Sequence, residues 1–386
     1  MKFSKKKPLN VDQTLNNPSN YADFSDQRTA YNDSKLLMGM PSNRSSNIGF
    51  VRCDTTYGSH ISFVPRSDMH FSTAAPQTLN VLDDYFSSTV TNIIDHGDML
   101  QVPVEGHHPG ECQESRITTM EEQQMFEASL AKYCEKVVCA TGGTHDDPEF
   151  ASRLASTYIS AIAGSYEKFN IPYYKNSAVV EFRAPVYKGN KIVDYASLFC
   201  VVLHCHGKPA SKKLGSVQKT YEQGLGVIKK FNAEHGTNIV PDFILGGHFH
   251  ANSDADYMVS RNIYDSKGKA TGTCMHTIRV RSNATLQNSN SNAFNRSFPD
   301  VLIPNYTQFD VYFEVNKDFK SNDFNRKPKY YPVVTEFPIL NNEGKLTQIA
   351  TKYSEKRKDI NYKEEFNRNL AGKSATDLLS SFESKF

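Results

Sequence analysis

The chain has no tryptophan, no Cys-x-x-Cys pair, no apolar run of membrane-spanning length and no excess of charge of one sign. Each absence excludes something. The seven cysteines (Cys53, Cys112, Cys134, Cys139, Cys200, Cys205 and Cys274) are odd in number and scattered. They suggest neither a disulfide framework nor a thiolate zinc site, and a reducing compartment fits them. The longest apolar run, Leu198–Leu203, is far too short to cross a bilayer, so no membrane partner is expected. The opening segment MKFSKKKPLN is basic but has no apolar stretch after it, unlike a signal peptide. The 44 basic and 42 acidic residues leave a net charge of +2, which argues against a protein that coats polyanions broadly. A soluble intracellular or virus-packaged protein is the class that remains.

What is present begins with length. The 386 residues allow one large domain or two smaller ones, with 24 Phe and 20 Tyr as large packing residues. Residues 1–48 are rich in Asn, Ser, Asp and Lys and read as a polar N-terminal arm. From about His60 the pattern becomes α/β. It predicts a strand over His60–Pro65, a helix over Gln77–Val90 and a strand over Thr91–Ile94. Thr118 with Glu121 marks a capping box, and Phe126, Leu130, Tyr133 and Val137 fall at helical spacing after it. A strand at Val137–Ala140, a helix at Glu149–Lys168 and a hairpin turning at Lys188–Lys191 follow. Then come a helix at Val217–His235, a strand at Phe243–Leu245, and β-like segments at Met275–Arg281 and Phe309–Val315. The main domain is placed at 49–320, and residues 321–386 read as a charged C-terminal extension with short helices.

One arrangement recurs: short β runs end directly in His, Asp and Gly. In a layered α/β fold, strand ends gather at one edge of a sheet, so residues distant in sequence converge there. Five such ends carry Asp68 and His70, Asp98, His145 and Asp146, His204 and His206, and His248 and His250. Carboxylates and imidazoles without thiolates suit Mn, Fe or Zn. Singly, each motif has an ordinary explanation, since Asp-x-His arises by chance and Gly-Asp is common turn chemistry. The ordered set of five is the informative signal. His96, His107, His108, Arg153, Lys208, Lys212 and Lys213 read as loop or surface residues, and His60, His235 and His276 as structural ones.

The order Asp68-Met69-His70, Gly97-Asp98, Gly143-Thr144-His145-Asp146, His204-Cys205-His206-Gly207, Gly247-His248-Phe249-His250 resembles that of the calcineurin-like metallophosphoesterase superfamily. The resemblance covers about residues 58–256 and is closest to members found in bacteriophage genomes. It implies a four-layer α/β/β/α sandwich with mixed sheets and a metal site at the strand ends. It also implies a dinuclear metal centre with a bridging hydroxide. One ion would be held by Asp68, His70 and His250. Asp98 would bridge to a second, which takes His248, the residue at Thr144, and His206 or His204, with His206 favoured. His145 would donate a proton to the leaving oxygen or bind the phosphate, and Asp146 would orient its ring. Two divalent ions are expected, Mn²⁺ foremost, with Fe, Zn or Mg as alternatives. Thr144 departs from the family pattern, which has Asn there; a hydroxyl is a weaker neutral ligand than an amide carbonyl.

The expected activity is hydrolysis of phosphodiesters, with DNA or RNA as candidate substrates. The alternatives are a phosphomonoesterase acting on proteins or nucleotides, and a structural or assembly protein with a degraded metal site, its tails binding a larger assembly. The expected location is cytoplasmic, which for a viral protein means the host cytoplasm or the virion.

Overall fold

Two six-stranded sheets form the framework of the computed structural model, which describes residues 48–54, 60–89, 91–102, 117–146, 161–188, 191–205, 214–250, 253–264, 270–282, 286, 306–315 and 330–359. The first sheet runs β1 (Gly49–Asp54), β6 (Ser177–Lys188), β7 (Lys191–His204), β8 (Phe243–Gly247), β10 (Ala270–Ser282) and β9 (Ser253–Tyr264). The second runs β12 (Tyr330–Pro338), β11 (Thr307–Val315), β2 (His60–Arg66), β3 (Asn92–His96), β4 (Val137–Thr141) and β5 (Tyr173–Tyr174). Both are mixed. In the first, β7, β8 and β10 are parallel while β6–β7 and β9–β10 are antiparallel hairpins. In the second, β2 to β5 are parallel, and β11 runs antiparallel to both β2 and β12.

The period-two alternation of strands explains how the sheets pack. Ala178, Val180 and Phe182 of β6 and Leu198, Cys200 and Val202 of β7 face Ile61 and Phe63 of β2, Ile94 of β3 and Phe309 of β11 in one apolar cluster. Phe63 lies at its centre, stacked on Phe182 and Phe309 at 5.4 and 5.1 Å and meeting Phe243 edge-on at 5.4 Å. The intervening residues Val179, Val201 and Leu203 point the other way, onto α4 (Leu214–His235). Both faces are therefore dry, which is why Leu198–Leu203 is continuously apolar.

The outer face of the second sheet is covered by α1 (Pro76–Ser88), α2 (Thr119–Leu130), α3 (Ala161–Lys168) and α5 (Gln348–Asp359). Pro76 opens α1, where its missing N–H costs nothing. Thr118 and Glu121 form the expected reciprocal capping box on α2. The layers thus run helix, sheet, sheet, helix.

Three elements differ from the sequence pattern. Tyr133 and Val137 continue the helical spacing of Phe126 and Leu130, yet α2 ends at Leu130. A 3₁₀ turn (Cys134–Lys136) follows, and Val137 opens β4. All four residues stay buried, so apolar spacing persists through a change of secondary structure. The hydrogen-bonded framework also runs past residue 320, because β12 pairs with β11 from Thr307–Pro338 to Val315–Tyr330. After it, α5 docks through Tyr353, whose hydroxyl donates to Asp310 (3.0 Å), and Ser354, whose Oγ lies 3.0 Å from Ser88 Oγ. Finally, β1 pairs in parallel with β6, although its half-exposed alternation gives a weak signal. The polar arm expected over 1–48 lies outside the described residues except for Ile48, and the N-terminal part of the helix expected at Glu149–Lys168 lies outside them too. Among the described residues, no helix is long and apolar enough to cross a membrane.

Candidate metal centre

The parallel strands β2, β3 and β4 end side by side, and β7 and β8 do the same in the facing sheet. Each chain then turns abruptly. Asp68, His70, Asp98, His248 and His250 all have left-handed backbones, with φ of 52°, 46°, 53°, 85° and 51°. Such conformations are unfavourable for non-glycine residues, by about 1–3 kcal/mol each, and persist only where the surroundings hold them. Here the loops hold one another. Asp68 N–H donates to the Gly97 carbonyl, His70 N–H to that of Asp98 and Phe71 N–H to that of Met99, all at 3.0 Å. Glycine is required at two contacts. A Cβ on Gly97, itself at φ 95°, would meet the His204 ring, and one on Gly143 would collide with Asp98.

Two donor groups result, and Asp98 belongs to both. In one, Asp68, His70, Asp98 and His250 bring one ligand atom each within 4.8 Å of one another; in the other, Asp98, His204 and His248 do so. His70 Nε2 and His250 Nε2 stand 3.2 Å apart, and His250 Nε2 is 3.3 Å from Asp68 Oδ1. His204 Nε2 is 3.2 Å from Asp98 Oδ2. Asp68 is further fixed by Ser67 Oγ, which donates to it at 2.6 Å, and by His248 N–H at 2.9 and 3.0 Å.

The donor chemistry fits a cation. Two imidazole nitrogens face each other beside a buried carboxylate, and metal–nitrogen or metal–oxygen bonds of about 2.0–2.2 Å would bring such atoms to about 3–4 Å from one another. Electrostatics point the same way. Burial, reinforced by the neighbouring His145 and His250 rings, holds His70 well below the usual imidazole range, in the neutral form a metal requires. Burial likewise lowers His248 to about 4. Against the opposing effect of burial, His250 brings Asp68 down to about 2, and His204 holds Asp98 well below the carboxylate range. Asp98 in turn raises His204 to about 9 despite burial.

Among the described residues, His204, which closes β7, belongs to the cluster; His206, the favoured candidate from the sequence, lies outside the described residues. Thr144 sits beside the second group. Its hydroxyl donates to Asp98 Oδ2 at 3.2 Å and lies 3.5 Å from His204 Nε2. His145 is anchored by its N–H to Asp98 Oδ1 (2.7 Å), and its ring meets that of His70 edge-on at 4.8 Å. Its Nδ1 lies 3.2 Å from the carbonyl oxygen of Gln101. Asp146, expected to orient that ring, instead accepts Leu100 N–H at 2.8 Å. Its carboxyl is held well above the usual range by burial and the Asp98 charge. The orienting contact seen at Nδ1 is therefore a backbone carbonyl.

His96 is the buried last residue of β3 rather than a loop residue, and burial lowers it to about 4. His60, His235 and His276 stand elsewhere with partners of their own: Asp310 at 3.5 Å, the Phe231 carbonyl at 3.0 Å and the Pro241 carbonyl at 2.9 Å. His107, His108, Arg153, Lys208, Lys212 and Lys213 lie outside the described residues.

Sequence patterns missed the residues that brace the site. Arg66, two positions before Asp68, is fully buried and pairs with Asp95 through two bonds of 2.7 and 2.8 Å. It lies between the Phe86 and Tyr133 rings, each 5.1 Å away, and Tyr166 donates to Asp95 at 2.7 Å. An Arg at a strand end gives no signal without its partner.

No protein-family model and no curated protein matches this chain.

Proposed function

We propose that this chain is a metal-dependent phosphodiesterase of the calcineurin-like metallophosphoesterase type, in the four-layer form with a dinuclear centre. Asp98 carries that reading: one carboxylate shared by two converging donor groups is what a pair of neighbouring cations requires. Asp68, His70, Asp98 and His250 would hold one ion; Asp98, His204 and His248, with the Thr144 hydroxyl adjacent, would hold the other. Mn²⁺ is the first candidate, ahead of Fe, Zn and Mg. When bound, such ions polarise phosphoryl oxygens and supply an activated water at neutral pH.

The chain's own residues do the rest. Ser67 and the His248 N–H keep the Asp68 oxygens turned to the centre, and Thr144 does the same for Asp98. A carbonyl oxygen only accepts, so the Gln101 contact requires a proton on His145 Nδ1. That leaves Nε2 as the nitrogen that exchanges a proton with the leaving oxygen. DNA or RNA is the candidate substrate class from the resemblance of the motif set, and the net charge of +2 limits it to a local grip without a broad basic footprint.

The test uses purified full-length chain with added Mn²⁺, assayed side by side on bis(p-nitrophenyl) phosphate and p-nitrophenyl phosphate. The diester is expected to turn over faster, with about two metal equivalents per chain. A faster monoester would make the protein a phosphatase. No turnover of either substrate, with no metal retained, would end the phosphoesterase assignment.

A further inference from the structure

A buried carboxylate outside the donor groups links the loops that carry them. Glu122 of α2 is fully buried, and burial raises its pKa, an unfavourable position that needs compensation. Its Oε1 accepts Ser72 N–H and Gln101 N–H, both at 2.8 Å, and its Oε2 faces Val102 N–H at 3.4 Å. Ser72 follows the Asp68–His70 motif, and Gln101 and Val102 follow Asp98. One side chain therefore ties together the loops after two metal motifs.

The loop it holds is under strain. Val102 has φ 29°, a conformation that a β-branched residue avoids. Immediately before it, Gln101 presents its N–H to Glu122 and its carbonyl to His145 Nδ1, so the two faces of one residue link the carboxylate to the imidazole. Asp146, through Leu100 N–H, is a further anchor on the same loop.

We propose that Glu122 is a positioning residue: it fixes loop 98–102 so that the Gln101 carbonyl holds His145 in the Nδ1–H tautomer, with Nε2 directed to proton exchange. Only the role of Nε2 rests on the phosphoesterase assignment; the tautomer stands apart from it.

The experiment is ¹⁵N NMR of the full chain labelled at histidine, metal-free and with Zn²⁺, above the titration of the ring. His145 is assigned by loss of its signals in His145→Gln. The wild type is expected to carry its proton on Nδ1. Glu122→Gln keeps an oxygen that can accept both short bonds, so the tautomer persists and kcat on bis(p-nitrophenyl) phosphate stays within about twofold. Glu122→Leu has a similar volume and no acceptor. It is expected to give mixed tautomers and a kcat lower by roughly 10–100-fold, with KM nearly unchanged. A wild-type proton on Nε2, or an unmixed Nδ1–H tautomer in Glu122→Leu, overturns the proposal. If Glu122→Leu does not fold, Glu122→Ala, which also lacks the acceptor, is read in the same way, and a wild-type proton on Nε2 still overturns the proposal. A tautomer switch in a chain without hydrolytic activity would uphold the positioning role and remove the phosphoesterase assignment.

Discussion

Two clusters of buried charge lie a few residues apart at the ends of β2 and β3, and they are neutralised in different ways. Asp95 is matched by the guanidinium of Arg66, with Tyr166 completing its hydrogen bonds. Asp68 and Asp98 are matched instead by imidazoles: the strongest favourable neighbours are His250 for the first and His204 for the second. A guanidinium is permanently charged and fills its own site. An imidazole gives up its proton near neutral pH and then offers a lone pair to something else. The first cluster is complete as folded, while the second leaves donor atoms that could hold a metal ion. Neighbouring stretches of chain thus carry two kinds of buried charge, set apart by the choice of cationic partner.

That contrast can be broken most severely at the shared ligand. Asp98→Asn is expected to lower Mn²⁺-dependent diester hydrolysis by at least about 10³-fold, since several kcal/mol of stabilisation are lost at 1.4 kcal/mol per decade. Metal analysis should show fewer ions per chain, with an unchanged far-ultraviolet spectrum. Full activity in this variant would mean that the two donor groups do not act together.

The Arg66 pair should answer differently. Arg66→Met leaves Asp95 buried without its cation and should cost about 3–5 kcal/mol in urea unfolding, with no loss of bound metal in the folded fraction. Replacing both partners, as in Arg66→Met with Asp95→Leu, should recover much of that loss. A double variant no better than the single one would show that Arg66 stabilises through its stacking on Phe86 and Tyr133.

How much of this was legible in the sequence depends on whether a residue acts through its own chemistry or through a partner. Asp68, His70, Asp98, His145, His248 and His250 stand out as an ordered set at successive strand ends, since each motif alone has an ordinary explanation. The β2, β3, β4 and β8 segments were legible too, being short apolar runs with clear stops. Arg66, Gln101 and Glu122 were not. Glu122 looks like an ordinary first-turn acid until Ser72 and Gln101, 50 and 21 residues away, fold against it. His204 and His206 compete in sequence because one closes β7 and the other directly precedes Gly207, and strand ends are the least certain part of any pattern. Edge strands β1 and β12 were missed because their alternation is diluted by exposure.

A smaller effect concerns protons. With Asp98 holding His204 at about 9, the metal-free chain keeps that ring charged at pH 7.5, and a metal must displace the proton. Calorimetric titration in buffers of different ionisation enthalpy should show proton release at pH 7.5 that disappears above about pH 9. In the metal-free chain, the stabilisation from this raised pKa is full below the unfolded value of about 6.5 and is lost as pH rises through about 9. Added Mn²⁺ at 100 times its Kd should stabilise the fold by about 2.7 kcal/mol, and the Arg66 cluster should take no part in that gain.

The smallest change sharpens the second group. Thr144→Asn places an amide carbonyl where a hydroxyl stands 3.2 Å from Asp98, and is expected to tighten the weaker of two metal-binding steps several-fold, roughly 1 kcal/mol. An unchanged isotherm would remove residue 144 from the coordination.

His70 and His250 meet nitrogen to nitrogen although 180 residues separate them in the chain. At roughly 5–20 residues per second on the ribosome, the first of them is made about 9–36 seconds before the last. Throughout that interval the early Asp and His residues emerge as fragments of a chelate with nothing to close it. A cation held by these donors would thus meet its complete set only late in biosynthesis, once His250 has been made. Closure of the donor set therefore waits on β8 of the first sheet, the strand that leads directly into His248 and His250.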